Sequence, residues 1–179
     1  MTHLLMLGDS LVEWGHWERL LPEIRVTNRG RAGEMTEELA ARLHDELDDC
    51  PDPDAVLVQS GTNNLLMGYV FFPAIMATML ERIRFTLPAP PIIVCSLLPM
   101  SIVNATKIAE VNQELAQATA AIERCTFLDL ALPFSQKCLP PNPSGFLADQ
   151  VHLSLWGYQV WADEIRRCLQ EQSITGNPG

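Results

Sequence analysis

The chain carries few polar clusters, and one opens it. In "MLGDSLVEWG", Met6 to Gly15, an apolar run breaks at Gly8-Asp9-Ser10 and turns amphipathic at once. Ser10 reads in two ways: as a helix cap at an ordinary strand-to-helix turn, or as a nucleophile presented at a sheet edge. Other polar stretches follow, "NRGRAGEMT" from Asn28, "SGTNN" from Ser60, and, after the Pro-rich "CLPPNPSGF", the segment "ADQVHLSLWGY" with Asp149 and His152. Acyl transfer requires a hydroxyl, a base within hydrogen-bond reach, an acid to orient that base and donors for an oxyanion. All four residue types occur in these stretches.

Apolar runs separate them. Leu4–Leu7, Ile24–Thr27, Ala55–Gln59, Ile92–Cys95 and Thr126–Leu128 are nearly continuous in hydrophobicity, as expected of parallel strands covered on both faces. Helical stripes lie between and after them. They are Leu39, Leu43 and Leu47 behind a Thr36 cap; Ile75, Met79, Leu80 and Ile83; Ile108, Val111, Leu115, Ala118 and Ile122 behind Asn104; and Trp161, Ile165, Cys168 and Leu169 behind Ser154. The alternation predicts a three-layer α/β/α sandwich on a mostly parallel sheet of about five strands. Right-handed crossovers then place the turns Gly8–Leu11, Asn28–Met35, Ser60–Leu65 and Ser96–Met100 on one edge, together with the segment after the fifth strand. In such sheets, sites form outside the carboxyl ends of the strands.

Bulk composition narrows the function classes. A chain of 179 residues with 47% hydrophobic content fits one domain with a real core, here expected over residues 1–172, with 173–179 ("SITGNPG") a polar tail. A net charge of -10 argues against nucleic acid and stable association with anionic membranes. No run approaches the length of a spanning helix, and the N-terminus lacks a basic leader. Five scattered cysteines without CxxC spacing read as buried small hydrophobes in a reducing compartment, which places the protein in the cytoplasm. His3, His16 and His44 show no ligand spacing, so neither metal nor cofactor is expected.

The four blocks "GDSL" at Gly8–Leu11, "NRGRAG" with Gly33, "GTNN" with Asn63 and "DQVH" at Asp149–His152 occur in order over nearly the whole chain. In this the sequence resembles the GDSL, or SGNH, hydrolase superfamily. The resemblance implies a flavodoxin-like sandwich and a serine ester hydrolase working through an acyl-enzyme. It implies Ser10 as nucleophile, His152 as base and then acid, and Asp149 as the group orienting the imidazole. The Ser10 and Gly33 amides and the Asn63 side chain are then the oxyanion donors. An activated hydroxyl needs an adjacent base, and histidine serves both roles near neutral pH. The GxSxG elbow of α/β-hydrolases is absent. Whether Asn63 or Asn64 faces the site rests on motif alignment alone, and Asp9 reads as a support of the turn.

The stretch "LLMGYVFFP" after Asn64 is unusually apolar for a loop. Leu66, Met67, Tyr69, Phe71 and Phe72 are candidates for a substrate pocket or lid, with packing of Val70–Phe72 under the next helix as the alternative. "VEWGHW" sets Trp14 and Trp17 just past Ser10, either flanking the entrance or in the core, and "SLLPM" (Ser96–Met100) ends the fourth strand as a further wall. The pattern is most similar to the compact arylesterase and platelet-activating-factor acetylhydrolase-like branches, which implies a small-molecule ester with a short acyl group, acetyl first. An acyltransferase, thioesterase or lysophospholipase would use the same triad. A flavodoxin-like binding module is the reading outside catalysis, although the first turn lacks a glycine-rich phosphate cradle.

Overall fold

The computed structural model describes residues 1–172, so the expected tail at 173–179 lies outside the described residues. In chain order the elements are β1 (Thr2–Gly8), α1 (Ser10–Glu13), α2 (Trp17–Leu20), β2 (Ile24–Gly30), α3 (Thr36–Asp48), β3 (Ala55–Gln59) and α4 (Thr62–Leu66). They continue with α5 (Phe72–Thr86), β4 (Ile92–Cys95), α6 (Ala105–Ala120), β5 (Cys125–Leu128), α7 (Ala131–Lys137) and α8 (Leu155–Glu171). The five strands form one sheet in the order β2-β1-β3-β4-β5. Every pairing is parallel, so the sheet is parallel throughout and not merely for the most part.

The strand order explains where a site can form. From β1 the chain crosses to β2 on one side, and from β2 it returns past β1 to β3 and continues outward. The direction reverses between β1 and β3, and at such a switch point the flanking loops diverge and leave a crevice at the carboxyl ends. Right-handed crossovers put α3, α5 and α6 on one face, where α5 packs against both neighbours, and α8 on the other, against α2 and α7. β1, β3 and β4 bury Leu4–Leu7, Ala55–Val58 and Ile92–Val94 completely, while β2 and β5 form the half-exposed edges. No helix among the described residues is long and apolar enough to cross a membrane. All five cysteines are free; Cys125 is half-buried and the others are buried.

Two local expectations change. β2 runs on through Asn28–Gly30, pairing Gly30 with Gly8, so the second turn begins at Arg31. Gly30 permits this because a Cβ there would strike the backbone of Glu13. The cap of α3 is Met35, whose N–H donates to Glu38 Oε2 at 2.8 Å, and not Thr36. Thr36 is fully buried instead, its hydroxyl within 3.0 Å of Ser60 Oγ and 3.1 Å of Asn64 Oδ1. Asn104 and Ser154 cap α6 and α8 as expected.

The turn from β3 into α4 depends on Gly61, whose φ is +109° and whose missing Cβ leaves room for the ring of Phe72. A side chain here meets both left-handed strain and a steric conflict with a fully buried aromatic. Gly61→Ala is expected to lose about 2 kcal/mol or more, a fall in Tm of roughly 5 °C for a chain of this size. Thermal unfolding followed by circular dichroism checks it, and an unchanged Tm would show that the turn relaxes freely.

Candidate active site

The first turn presents Ser10 at the start of a helix only four residues long. Such a helix is not stable alone and leaves its last carbonyls unpaired. Side chains from elsewhere in the chain complete it. The Tyr158 hydroxyl donates to Leu11 O (3.0 Å), Trp17 Nε1 to Val12 O (2.8 Å), and Asn28 Nδ2 to Val12 O (3.0 Å) and Glu13 O (3.1 Å). Trp17 is therefore a core residue, packed edge-on against Trp161 and Tyr158, and does not flank an entrance.

His152 arrives on a tight loop between α7 and α8. Phe146 and Leu153 form an antiparallel bridge, and Leu147 N–H donates to His152 O at 2.7 Å. Asp149 Oδ1 accepts from the Val151 and His152 amides at 3.0 and 2.9 Å, which folds the loop about its own carboxylate. Gln150 takes φ of +61° at the apex, and its side chain accepts from Ser101 Oγ at 3.0 Å, tying the loop to the segment after β4. The outcome is a continuous relay. His152 Nδ1 lies 2.6 Å from Asp149 Oδ2, and His152 Nε2 lies 3.0 Å from Ser10 Oγ. The bond to His152, followed by the Val151 amide, holds the Asp149 carboxyl down at about 2, although this side chain is half exposed. The structure thus brings together Ser10, Asp149 and His152 from opposite ends of the chain.

The loop after β2 is anchored beside the same strand end. Arg31 N–H donates to Gly8 O at 2.9 Å, and Ala32 N–H to Glu13 Oε2 at 2.9 Å. Gly33 has φ of +78°, and a Cβ there would meet nothing within 4 Å. The glycine is required by backbone conformation, not by crowding from the protein. Next to it, Glu34 forms a buried two-pronged ion pair with Arg42 at 2.5 and 2.6 Å, and Arg42 Nη1 reaches Glu46 at 2.7 Å. That network pins the loop to α3. The two asparagines of "GTNN" separate cleanly. Asn64 is fully buried and spent on structure, accepting from Thr36 N–H at 2.9 Å and donating to Glu37 at 2.7 Å. Asn63 is half-buried and commits one amide hydrogen to Glu34 O at 2.9 Å, which leaves its second donor for a ligand.

The remaining candidates divide. Trp14 stacks on His152 with ring centroids 4.1 Å apart and 25° between planes, and is 48% exposed. Met67, Tyr69 and Phe71 are 64%, 56% and 85% exposed, and none is hydrogen-bonded or stacked to the Ser10–His152–Asp149 relay among the described residues. Leu66 is exposed as well, whereas Phe72, expected with them, is buried in the core against Gly61 and lines no pocket among the described residues. Sequence reasoning missed Tyr158, Asn28 and Gln150 as supports of the site. A buried hydroxyl or amide leaves no periodic trace; only the strand-end position of Asn28 hinted at its use.

Asp9 caps α1 through Oδ1, which accepts from Leu11 N–H at 2.9 Å. It is 1% exposed. Burial pushes this carboxyl up to about 7, with the Leu11 amide, the Thr62 hydroxyl and the charge of His152 opposing the rise and Glu34 adding to it. The folded state therefore holds this proton more tightly than the unfolded chain. The group's contribution to stability is full below its ordinary carboxylate value and is lost as pH climbs through its folded value. Tm of the parent protein is expected to fall between about pH 4 and about pH 7 more steeply than that of Asp9→Asn, which keeps the shape without the ionisation. Parallel Tm–pH curves for the two proteins would contradict the raised value.

Comparison with known proteins bears on the fold and the family. A lipase/acylhydrolase from Enterococcus faecalis is 21% identical, with a TM-score of 0.79 over 96% of this chain and 97% of that one. A catalytic mutant of an acetylxylan esterase from Geobacillus stearothermophilus superposes at TM-score 0.77, 19% identity, over 98% and 95% of the two chains. A family 3 carbohydrate esterase from Clostridium thermocellum gives 0.77 at 17% identity over 98% and 99%. These likenesses establish the fold. No curated protein matches the sequence. The model of the GDSL-like lipase/acylhydrolase family, however, matches residues 6–160. The chain belongs to that family of ester-bond hydrolases.

Proposed function

We propose that the protein is a serine esterase that removes short acyl groups, acetyl foremost, from small-molecule esters through an acyl-enzyme and without a cofactor. The observation that carries this reading is the unbroken hydrogen-bonded chain from Ser10 Oγ through His152 to Asp149. His152 Nε2 takes the Ser10 proton as Oγ attacks the ester carbonyl, and the tetrahedral oxyanion forms. His152 then gives that proton to the departing alcohol. Water repeats the sequence on the acyl-enzyme and frees the acid. Asp149 stays ionised throughout and holds Nδ1 in the donating tautomer. The Ser10 and Gly33 amides and the second hydrogen of Asn63 are the donors to the oxyanion.

Two further points support the reading. In the acetylxylan esterase, the catalytic mutants carry changes at an aspartate and at a histidine three positions later, the spacing of Asp149 and His152. Acetyl as the leading acyl group follows from the resemblance noted in the sequence and is supported by the named substrate of one structural neighbour, the acetylxylan esterase. The unpaired cysteines suit a reducing compartment, so the enzyme is assigned to the cytoplasm.

A fluorophosphonate is expected to label the parent protein at Ser10 and to leave Ser10→Ala unmodified. Ser10→Ala is also expected to lose hydrolysis of p-nitrophenyl acetate. Asn63→Ala is expected to lower kcat by about 10²–10³-fold, the usual effect of deleting one oxyanion donor. Turnover by Ser10→Ala at the parent rate would refute the mechanism, and an unchanged kcat in Asn63→Ala would remove that residue from it. Across p-nitrophenyl esters, kcat/KM is expected to be highest for acetate, and a rise with chain length would overturn the assignment to short acyl groups.

A further inference from the structure

Trp14 lies four residues beyond Ser10, and its N–H donates to Ser10 O at 3.0 Å. Residues so spaced share one helix face, and a long side chain there leans back toward the N-terminus. The indole is therefore directed over Ser10 and onto the imidazole that Ser10 meets, in the 4.1 Å stack. Nearly half of it faces solvent, so the stack is not a by-product of core packing.

The geometry of His152 gives that stack a purpose. Both of its hydrogen bonds act at ring nitrogens, Nδ1 to Asp149 and Nε2 to Ser10. The torsion that turns the ring plane, about Cβ–Cγ, is intrinsically broad. Both nitrogens lie close to that axis, so a small turn shifts them little and the two bond lengths oppose it only weakly. An aromatic surface against one ring face opposes that turn directly. The same surface is the electron-rich face that attracts a cation, so it favours the imidazolium that forms when Ser10 loses its proton.

We infer that Trp14 is a positioning residue that acts through His152, holding the imidazole plane in line with Ser10 Oγ and stabilising the ring when charged. This rests on the proposed role of His152 as base. In that arrangement one face of the indole is occupied by the enzyme's own histidine, and acyl-chain selection falls to other residues.

The test compares Trp14→Ala and Trp14→Phe on p-nitrophenyl acetate, butyrate and octanoate, with Tm as a folding control. Trp14→Ala is expected to lower kcat about tenfold on all three esters with KM within about twofold, and Trp14→Phe to recover most of the loss. A second readout needs no turnover. In Ser10→Ala, NMR signals of the His152 ring protons are expected upfield of their usual position through the ring current of the indole, and to move downfield in Ser10→Ala/Trp14→Ala. An unchanged kcat in Trp14→Ala overturns the inference. So does a KM that rises with acyl length while kcat holds, because the indole is then an acyl wall. Ring signals insensitive to Trp14 would show that the stack does not exist. Loss of Ser10-dependent labelling in the parent protein would instead refute the esterase mechanism, while the NMR result would still report on the stack.

Discussion

The hydrogen bond of 3.0 Å between Ser10 Oγ and His152 Nε2 joins residues 142 positions apart, and most of the site's architecture serves to hold its two ends still. Neither end sits on a long regular element. Ser10 begins a helix of four residues, and His152 belongs to a loop folded around a carboxylate. A bond of this kind weakens steeply with misalignment. The fold therefore supplies rigidity through polar cross-links that satisfy backbone groups. The Tyr158 hydroxyl is the clearest case. It projects from α8, which the histidine loop enters, and bonds Leu11 O in the helix that carries Ser10. One side chain thus couples the two ends of the relay directly.

Two aspartates near Ser10 show how environment, not residue type, assigns a role. Asp149 is half exposed, accepts hydrogen bonds at both oxygens and stays ionised. Asp9 is buried, and burial pushes its carboxyl up to about 7. An ionised carboxylate is what stabilises an imidazolium, and only Asp149 meets that requirement with direct contact to Nδ1. Asp9, adjacent to Ser10 in sequence, is instead a capping group whose charge would be costly where it sits.

The sheet and its long helices were legible because buried parallel strands read as apolar runs and amphipathic helices keep a 3.6-residue period. Ala55–Gln59 and Ile92–Cys95 coincide with their expected bounds. The helices α1, α2, α4 and α7 were not legible, because four to seven residues are too few to express a period. The relay residues were visible as motifs, yet their supports were not. Nothing local marks Thr36 as a partner of Ser60 and Asn64 in preference to a cap, since that choice is made by tertiary contact. The Trp14 stack stands between these cases. Its four-residue offset from Ser10 is plain in the sequence, but the histidine it meets comes from the far end of the chain.

The exposed apolar loop after α4 is defined by its attachment more than by its composition. Met67 N–H donates to Asn63 O at 3.0 Å, and Tyr69 N–H to Asn64 O at 2.8 Å. The loop is therefore wound back onto the turn that carries the proposed oxyanion donor, and Asn63 is in turn tied through Glu34 to the Gly33 loop. Met67 and Tyr69 share a backbone frame with Asn63 while their side chains stay free in solvent. In that arrangement, a substrate touching these side chains would press on the segment that sets the Asn63 amide. Changes of side chain at positions 67 and 69 leave that frame intact, because it is made by main-chain bonds that any residue but proline can form. Ser10 and His152 have no such latitude, since their contact is made by the side chains themselves.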